Sequence, residues 1–262
     1  MKTYLKKVRL AIWKLGQPLT NIPRNRNAVV SDLFIWRNTS HFHTFFELFS
    51  IPSIFDPKLS SDFATLVIFN SNGDYLSKSH LTLSPGTRHT LRLSDFIPAG
   101  SGPYGTFAIF PSHTPTSISS LGSFISERGY VSYQFMEHPL RSFVHGNLDA
   151  IASYNDQTFQ LLGSTSLLRR NYYLQAHLNH LQKHDIVLVN YSPRPKTVHF
   201  DTFTSLNSLF SSANIVIPPR GCYIHRLPSA SRPLRLTISS RLVMARPLVF
   251  SHSDHSLNVF HG

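Results

Sequence analysis

Apolar residues fall in short runs along the chain, some alternating with polar residues and some unbroken. Alternation, as in "FHTFFELFSI" (42–51), predicts a strand with one buried face, because successive strand side chains point to opposite sides. The run "TLVIFN" (65–70) predicts a buried strand, and "YGTFAIF" (104–110) a further strand. Between the runs, "NSNGD" (70–74) and "SPGT" (84–87) carry Asn-Gly and Pro-Gly pairs that turn a chain back on itself. The grammar continues through "GYVSYQF", "SFVHG", "DIVLVNYS", "GCYIHRL" and "LNVF", and predicts an all-β sandwich or barrel. Outside the N-terminus, residues 164–185 are the segment best suited to helix or irregular structure. Tyr173, Leu174, Leu178 and Leu181 fit a helical face, and Tyr172, Leu174, Ala176 and Leu178 fit alternation.

The same order of runs occurs twice. "LTLSPGTRHTLRL" (81–93) aligns without a gap on "IVIPPRGCYIHRL" (215–227), "TLVIFNSNG" (65–73) resembles "IVLVNYSPR" (186–194), and "SFVHGN" resembles the terminal "NVFHG". A repeated order of motifs predicts internal duplication. The expectation is two tandem, internally duplicated β-sandwich domains, residues 27–147 and 148–262, each sealing its own interior. His145 and His261 hold equivalent places near the ends of the two copies, which predicts a structural duty for both.

Residues 1–26 form a separate basic arm. On a helix, Tyr4, Leu5, Val8, Ala11, Ile12 and Leu15 share one arc, while Lys2, Lys6, Lys7, Arg9 and Lys14 lie outside it beside Trp13. The spacing predicts a short N-terminal amphipathic helix, stopped at Gly16 and Pro18. Lys2, Lys6, Lys7, Arg9, Trp13 and Lys14 are its candidates for an anionic membrane or other anionic surface. Seven of the 25 basic residues lie in this arm, which has no acid. Of the formal net charge of +12, the remaining 18 basic and 13 acidic residues leave +5 on the body. The only cysteine, Cys222, excludes an intrachain disulfide and points to a reducing, cytoplasmic setting, with the arm allowing a peripheral place at a membrane.

Candidate chemistry falls in two groups. Arg128, Tyr130, Tyr133, His145 and Asn147 lie near one another in sequence and combine rings with hydrogen-bonding groups, the ingredients of a carbohydrate site. His41 and His43, with His252, Asp254 and His255 from the far end of the chain, are the metal-ligand candidates. "AGSGPYG" (99–105) holds a literal G-x-G-x-x-G, but it feeds a strand instead of a helix and reads as a loop. Glutamate occurs only at 47, 127 and 137, and no nucleophile elbow, zinc-protease or phosphate-loop motif is present. These features predict a non-catalytic binding or structural protein that recognises a carbohydrate or a protein surface, without a cofactor. Two alternatives stand beside it: a nucleic-acid-associated or capsid-like protein using the arm, and a histidine-dependent enzyme acting on a glycan or lipid.

Overall fold

Buried and half-buried positions alternate along Phe42–Phe49, as they must in a strand with one face in the core. In Asp62–Asn70 and Tyr104–Pro111 nearly every position is buried, so these strands are covered on both faces. The computed structural model describes residues 20–25, 27–56, 58–120, 123–146, 148–154, 158–174, 178–204, 208–227, 234–242, 246–254 and 256–262.

Among these residues there are twenty strands. In chain order they are β1 (Val29–Ser31), β2 (Phe34–Arg37), β3 (Phe42–Phe49), β4 (Asp62–Asn70), β5 (Tyr75–Leu83), β6 (Arg88–Arg92), β7 (Tyr104–Pro111), β8 (Ser126–Glu127), β9 (Tyr130–Phe135) and β10 (Arg141–His145). They continue as β11 (Ile151–Tyr154), β12 (Thr158–Leu161), β13 (Thr165–Tyr173), β14 (Lys183–Val189), β15 (Lys196–Thr204), β16 (Leu209–Ile217), β17 (Cys222–Arg226), β18 (Leu234–Leu242), β19 (Leu248–Ser253) and β20 (Ser256–His261).

The strands form five four-stranded sheets, the sheet number and size of a five-bladed β-propeller, and no sheet consists of four consecutive strands. Sheet I has the order β2-β7-β4-β5 and sheet II β10-β9-β3-β6. Sheet III runs β13-β18-β15-β16 and sheet IV β17-β14-β19-β20. Sheet V, β12-β11-β1-β8, contains one parallel pair, β1 with β8. The wiring of sheets I and II recurs in III and IV: replacing β2 to β7, β9 and β10 by β13 to β20 in turn converts one pair of orders into the other.

The expected pair of self-contained sandwiches is therefore corrected. Two sandwiches need four sheets, and here a fifth, sheet V, takes β1 and β8 from one side of the expected 147/148 boundary and β11 and β12 from the other. The interior is not closed at that boundary either, although a second cluster around Val198, Phe200 and Leu236 lies wholly within the second repeat. One cluster of buried side chains joins Phe42, Phe46, Phe69 and Phe107 to Val187, Tyr191, Cys222 and Phe250. The pairing of residues 65–73 with 186–194 is corrected too, because β4 corresponds to β15 and not to β14. Both segments end in an asparagine whose side chain folds the following turn: Asn70 Oδ1 accepts from the Asn72 amide and Asn190 Oδ1 from the Ser192 amide, each at 2.9 Å. Shared turn chemistry produced that likeness. The segment read as helical or irregular contains strand β13. The N-terminal amphipathic helix falls on residues 1–19, outside the described residues. Of the rest of the expected arm, Thr20 bridges Gly163 and the Asn21 amide donates to the Leu162 carbonyl, so this part is laced to the body.

Charge and aromatic rings lock the two wirings together. Arg37, at the end of β2, donates through Nη2 to Asp185 Oδ2 of β14 at 2.8 Å, with both side chains buried. Its guanidinium lies 3.6 Å from the Phe42 ring centroid and 4.8 Å from that of Phe250. Burial pushes the Arg37 pKa down and Asp185 opposes the shift. At a second seam, the Cys222 amide donates to Ser71 O at 3.0 Å and Thr106 Oγ1 to Arg220 O at 2.7 Å. Gly73, at φ 79°, stands so close to this turn that an added Cβ would meet Pro219 O at 2.0 Å.

Removing one partner of a buried ion pair strands the other charge, a loss of about 3–5 kcal/mol. Arg37→Met and Asp185→Asn should each lower the unfolding free energy by about this amount in urea titrations. The double replacement Arg37→Met/Asp185→Leu, which leaves no stranded charge, should recover most of the loss.

Candidate functional site

The outer face of sheet II gathers most of the polar and aromatic chemistry. β3 alternates, so Phe42, Thr44, Phe46 and Leu48 are buried while His43, Phe45 and Glu47 look outward. Cross-strand register sets their neighbours: Glu47 lies opposite Tyr130 and Thr90, Phe45 opposite Ser132 and Arg92, and His43 opposite Gln134. On the far side of β9, Tyr130 pairs with His145, Ser132 with Phe143 and Gln134 with Arg141.

A guanidinium and a carboxylate organise this surface. The Arg141 guanidinium lies 4.6 Å from the Phe45 ring centroid and 5.8 Å from that of Phe143. Its Nη1 reaches Glu47 Oε1 at 3.5 Å, while Arg88 Nε stands 3.3 Å from Glu47 Oε2 and Thr90 Oγ1 donates to that oxygen at 2.9 Å. The Glu47 side chain is thereby nearly buried under its partners. Two rings remain open to solvent beside it, Tyr130 at 57% and Phe143 at 51% exposure. Burial, with Arg92 adding to it, lowers the His43 pKa, so its ring is neutral at physiological pH.

Two of the five residues expected to bind a ligand meet here, Tyr130 and His145. Arg128 stands just before β9, paired with Asp149 at 3.0 Å. Tyr133 does not join them. It is fully buried, and its hydroxyl donates to Ile35 O at 2.9 Å. Positions three apart in a strand face opposite sides, which is why Tyr130 and Tyr133 cannot share a platform. Asn147 lies outside the described residues. The residues that sequence reasoning missed are Phe45, Glu47, Arg141 and Phe143. Their signal was the alternation of "HTFFELF" and "RSFVH" read together, which needs the knowledge that β3 and β10 flank the same strand.

Of the proposed metal ligands, His41 and Asp254 come together and the others lie apart. His41 and Asp254 border a surface cleft of about 500 Å³ together with Met136, Glu137 and His138. His252 instead packs edge-on against Phe42, with Nε2 3.8 Å from Asp185 Oδ2, and burial lowers its pKa. His43 belongs to the outer face of sheet II, and His255 lies outside the described residues. Among the described residues no group of three His, Cys, Asp or Glu side chains is placed to hold a metal ion. The surface-binding set Lys2, Lys6, Lys7, Arg9, Trp13 and Lys14 also lies outside them. Among the described residues no helix is long and apolar enough to cross a membrane.

The two closing histidines sit side by side. The rings of His145 and His261 are 5.2 Å apart, and His261 Nε2 donates to the His145 carbonyl at 3.1 Å. With Asp32 and Tyr191 they border a cleft of about 30 Å³ at the seam of the repeats. That volume admits about two waters, so the cleft is too small for a sugar.

No protein-family model and no curated protein matches this chain. Among solved structures, a beta-glucuronidase from glycoside hydrolase family 2 is similar at 10% identity with a TM-score of 0.15, over 87% of this chain and 23% of that one. A glycosyl hydrolase family 2 member from Bacteroides cellulosilyticus DSM 14838 is similar at 10% identity and the same TM-score, over 93% of this chain and 30% of that one. The chain spans less than a third of either, and likenesses at this level carry no argument.

Arg128 and Gly129 join β8 to β9 just before Tyr130. At the end of β8, Glu127 is buried and accepts from the Gly129 amide at 2.7 Å. Burial lifts the Glu127 carboxyl from its ordinary 4.5 to about 7, against the pull of that hydrogen bond. The folded state thus holds the proton more tightly than the unfolded state. The resulting stabilisation is complete below about pH 4.5 and is lost as pH rises through about 7. Denaturation at a series of pH values should show wild type losing roughly 3 kcal/mol across this window. Glu127→Gln should remove that component.

Proposed function

We propose that the protein is a non-catalytic carbohydrate-binding protein, and that it holds its ligand on the outer face of sheet II. The supporting observation is the pair of exposed rings, Tyr130 and Phe143, flanking the Arg141–Glu47 ion pair. Aromatic faces offer apolar area to the C–H side of a sugar ring, while fixed charged groups meet its hydroxyls. The geometry favours such a ligand because the polar groups are already held in place. Arg141 is stacked on Phe45 and tied to Glu47, so little side-chain entropy is lost on binding.

Charge narrows the ligand class. Arg88, Arg92 and Arg141 outnumber Glu47 on this face, which favours a carbohydrate bearing carboxylate or sulfate groups. The same count argues against glycoside hydrolysis here. That chemistry needs two carboxyl groups across the scissile bond, and Glu47 is the only one among the described outer-face residues of sheet II. A reducing, cytoplasmic setting belongs to this proposal and agrees with a single, unpaired thiol at Cys222.

Titration calorimetry against acidic and neutral polysaccharides tests the reading. Binding should favour the acidic polymer and weaken with salt. Tyr130→Ala and Phe143→Ala should each reduce affinity about 5–10-fold, with the thermal transition little changed because both rings are exposed. Binding that survives the double replacement would contradict the proposal.

A further inference from the structure

We propose that the protein self-associates through the free edge of β16, joining sheet III to its copy in a second molecule as one eight-stranded sheet. Among the described residues β16 is the terminal strand of its sheet, with β15 as its only partner. It runs nine residues, "LFSSANIVI", without a charge or a proline. Its Leu209, Phe210 and Val216 are 59%, 44% and 63% exposed. Long, uncharged, apolar edges are templates for strand addition, and soluble proteins usually guard them with lysine, proline or a covering element.

The molecule contains its own control. By wiring, β16 corresponds to β5, the terminal strand of sheet I. The gapless alignment of 81–93 with 215–227 extends through these strands, and from the third residue of each their burial alternates in step. In that alignment Lys78 of β5 stands where β16 has Ser212. One copy of the repeat thus carries a lysine in mid-edge, and the other has lost or never gained it.

The occupant is a second copy because the strand is self-complementary. An antiparallel pairing about a two-fold axis at Ala213 places Phe210 opposite Val216 of the partner subunit, and Ser212 opposite Asn214 of the partner subunit. Both pairs lie on the exposed face, where alternate positions of β16 are open to solvent. Aromatic against β-branched is a favourable cross-strand pair, and the two-fold repeats it at both ends. Serine against asparagine supplies matched hydrogen-bonding groups at the centre. The register leaves no like charges opposed.

Sedimentation analysis of the full chain over a range of concentrations reads this directly. A monomer–dimer equilibrium is expected, with a dissociation constant of roughly micromolar order. Ser212→Lys, which installs the guard of the other copy, should weaken it at least about 10-fold. Val216→Lys should do the same, and both variants should keep the wild-type thermal transition because the positions face solvent. Ser212→Cys should be joined to its copy by a short bis-maleimide, with buried Cys222 silent. A wild-type chain that stays monomeric to about 1 mM, or a dimer that neither lysine weakens, would overturn the proposal. So would failure of the Ser212→Cys chain to cross-link.

Discussion

A guanidinium packed into the corner of two phenylalanine rings and paired with a buried carboxylate is the constraint on which the arrangement of the sheets depends. Arg37 cannot leave the interior without stranding Asp185, and Asp185 also faces Arg226 at 3.4 Å and His252 at 3.8 Å. Arg37 ends a strand of sheet I and Asp185 belongs to a strand of sheet IV, so the pair fixes one repeated unit against the other. The surrounding rings are as specific as the charges: Phe42 and Tyr133 from sheet II both meet Phe250 of sheet IV, at 6.0 and 4.7 Å between centroids. Such a pair adds little net stability over a well-packed apolar replacement. Its contribution is geometric: it ties the end of β2 in sheet I to β14 in sheet IV.

Local chemistry was legible from the sequence, and long-range assembly was not. The turn of 84–87 and the strands around it aligned with 218–221 because Pro85 and Pro219 and the alternating positions on either side are set within a few residues. The equivalence of His145 and His261 was visible for the same reason. That their rings would lie together was not, because contact between chain positions 116 residues apart depends on how whole sheets pack. Sheet V was hidden altogether. Two of its strands are very short, β1 with three residues and β8 with two, and neither displays a period that a sequence scan can register.

The candidate face shows the same division. Alternation placed Phe45 and Glu47 on one side of β3 and Tyr130 on one side of β9, but only the order β10-β9-β3-β6 brings them onto one surface. Tyr133 leaves the face because nearness in sequence is not nearness on a face: a strand reverses the side at each residue. The buried phenol serves the seam instead. It closes on Ile35 O and packs on Phe250, so the residue that drops out of the site belongs to the contact that holds sheet II against sheet IV. The candidate face and the junction are opposite sides of the same strand. On the proposed reading, a ligand at Tyr130 would rest on a scaffold whose rigidity comes from the packing beneath it.

The two repeated units form a single folding unit, joined through the core cluster that sheet IV shares with sheets I and II. Hydrogen exchange followed by mass spectrometry across a series of denaturant concentrations tests this. If the interior is shared, the most protected amides of β4 in sheet I and β15 in sheet III exchange through one global opening, with the same free energy and the same denaturant dependence. If β15 exchanges in a separate, lower-energy opening while β4 stays protected, the two units fold independently of each other.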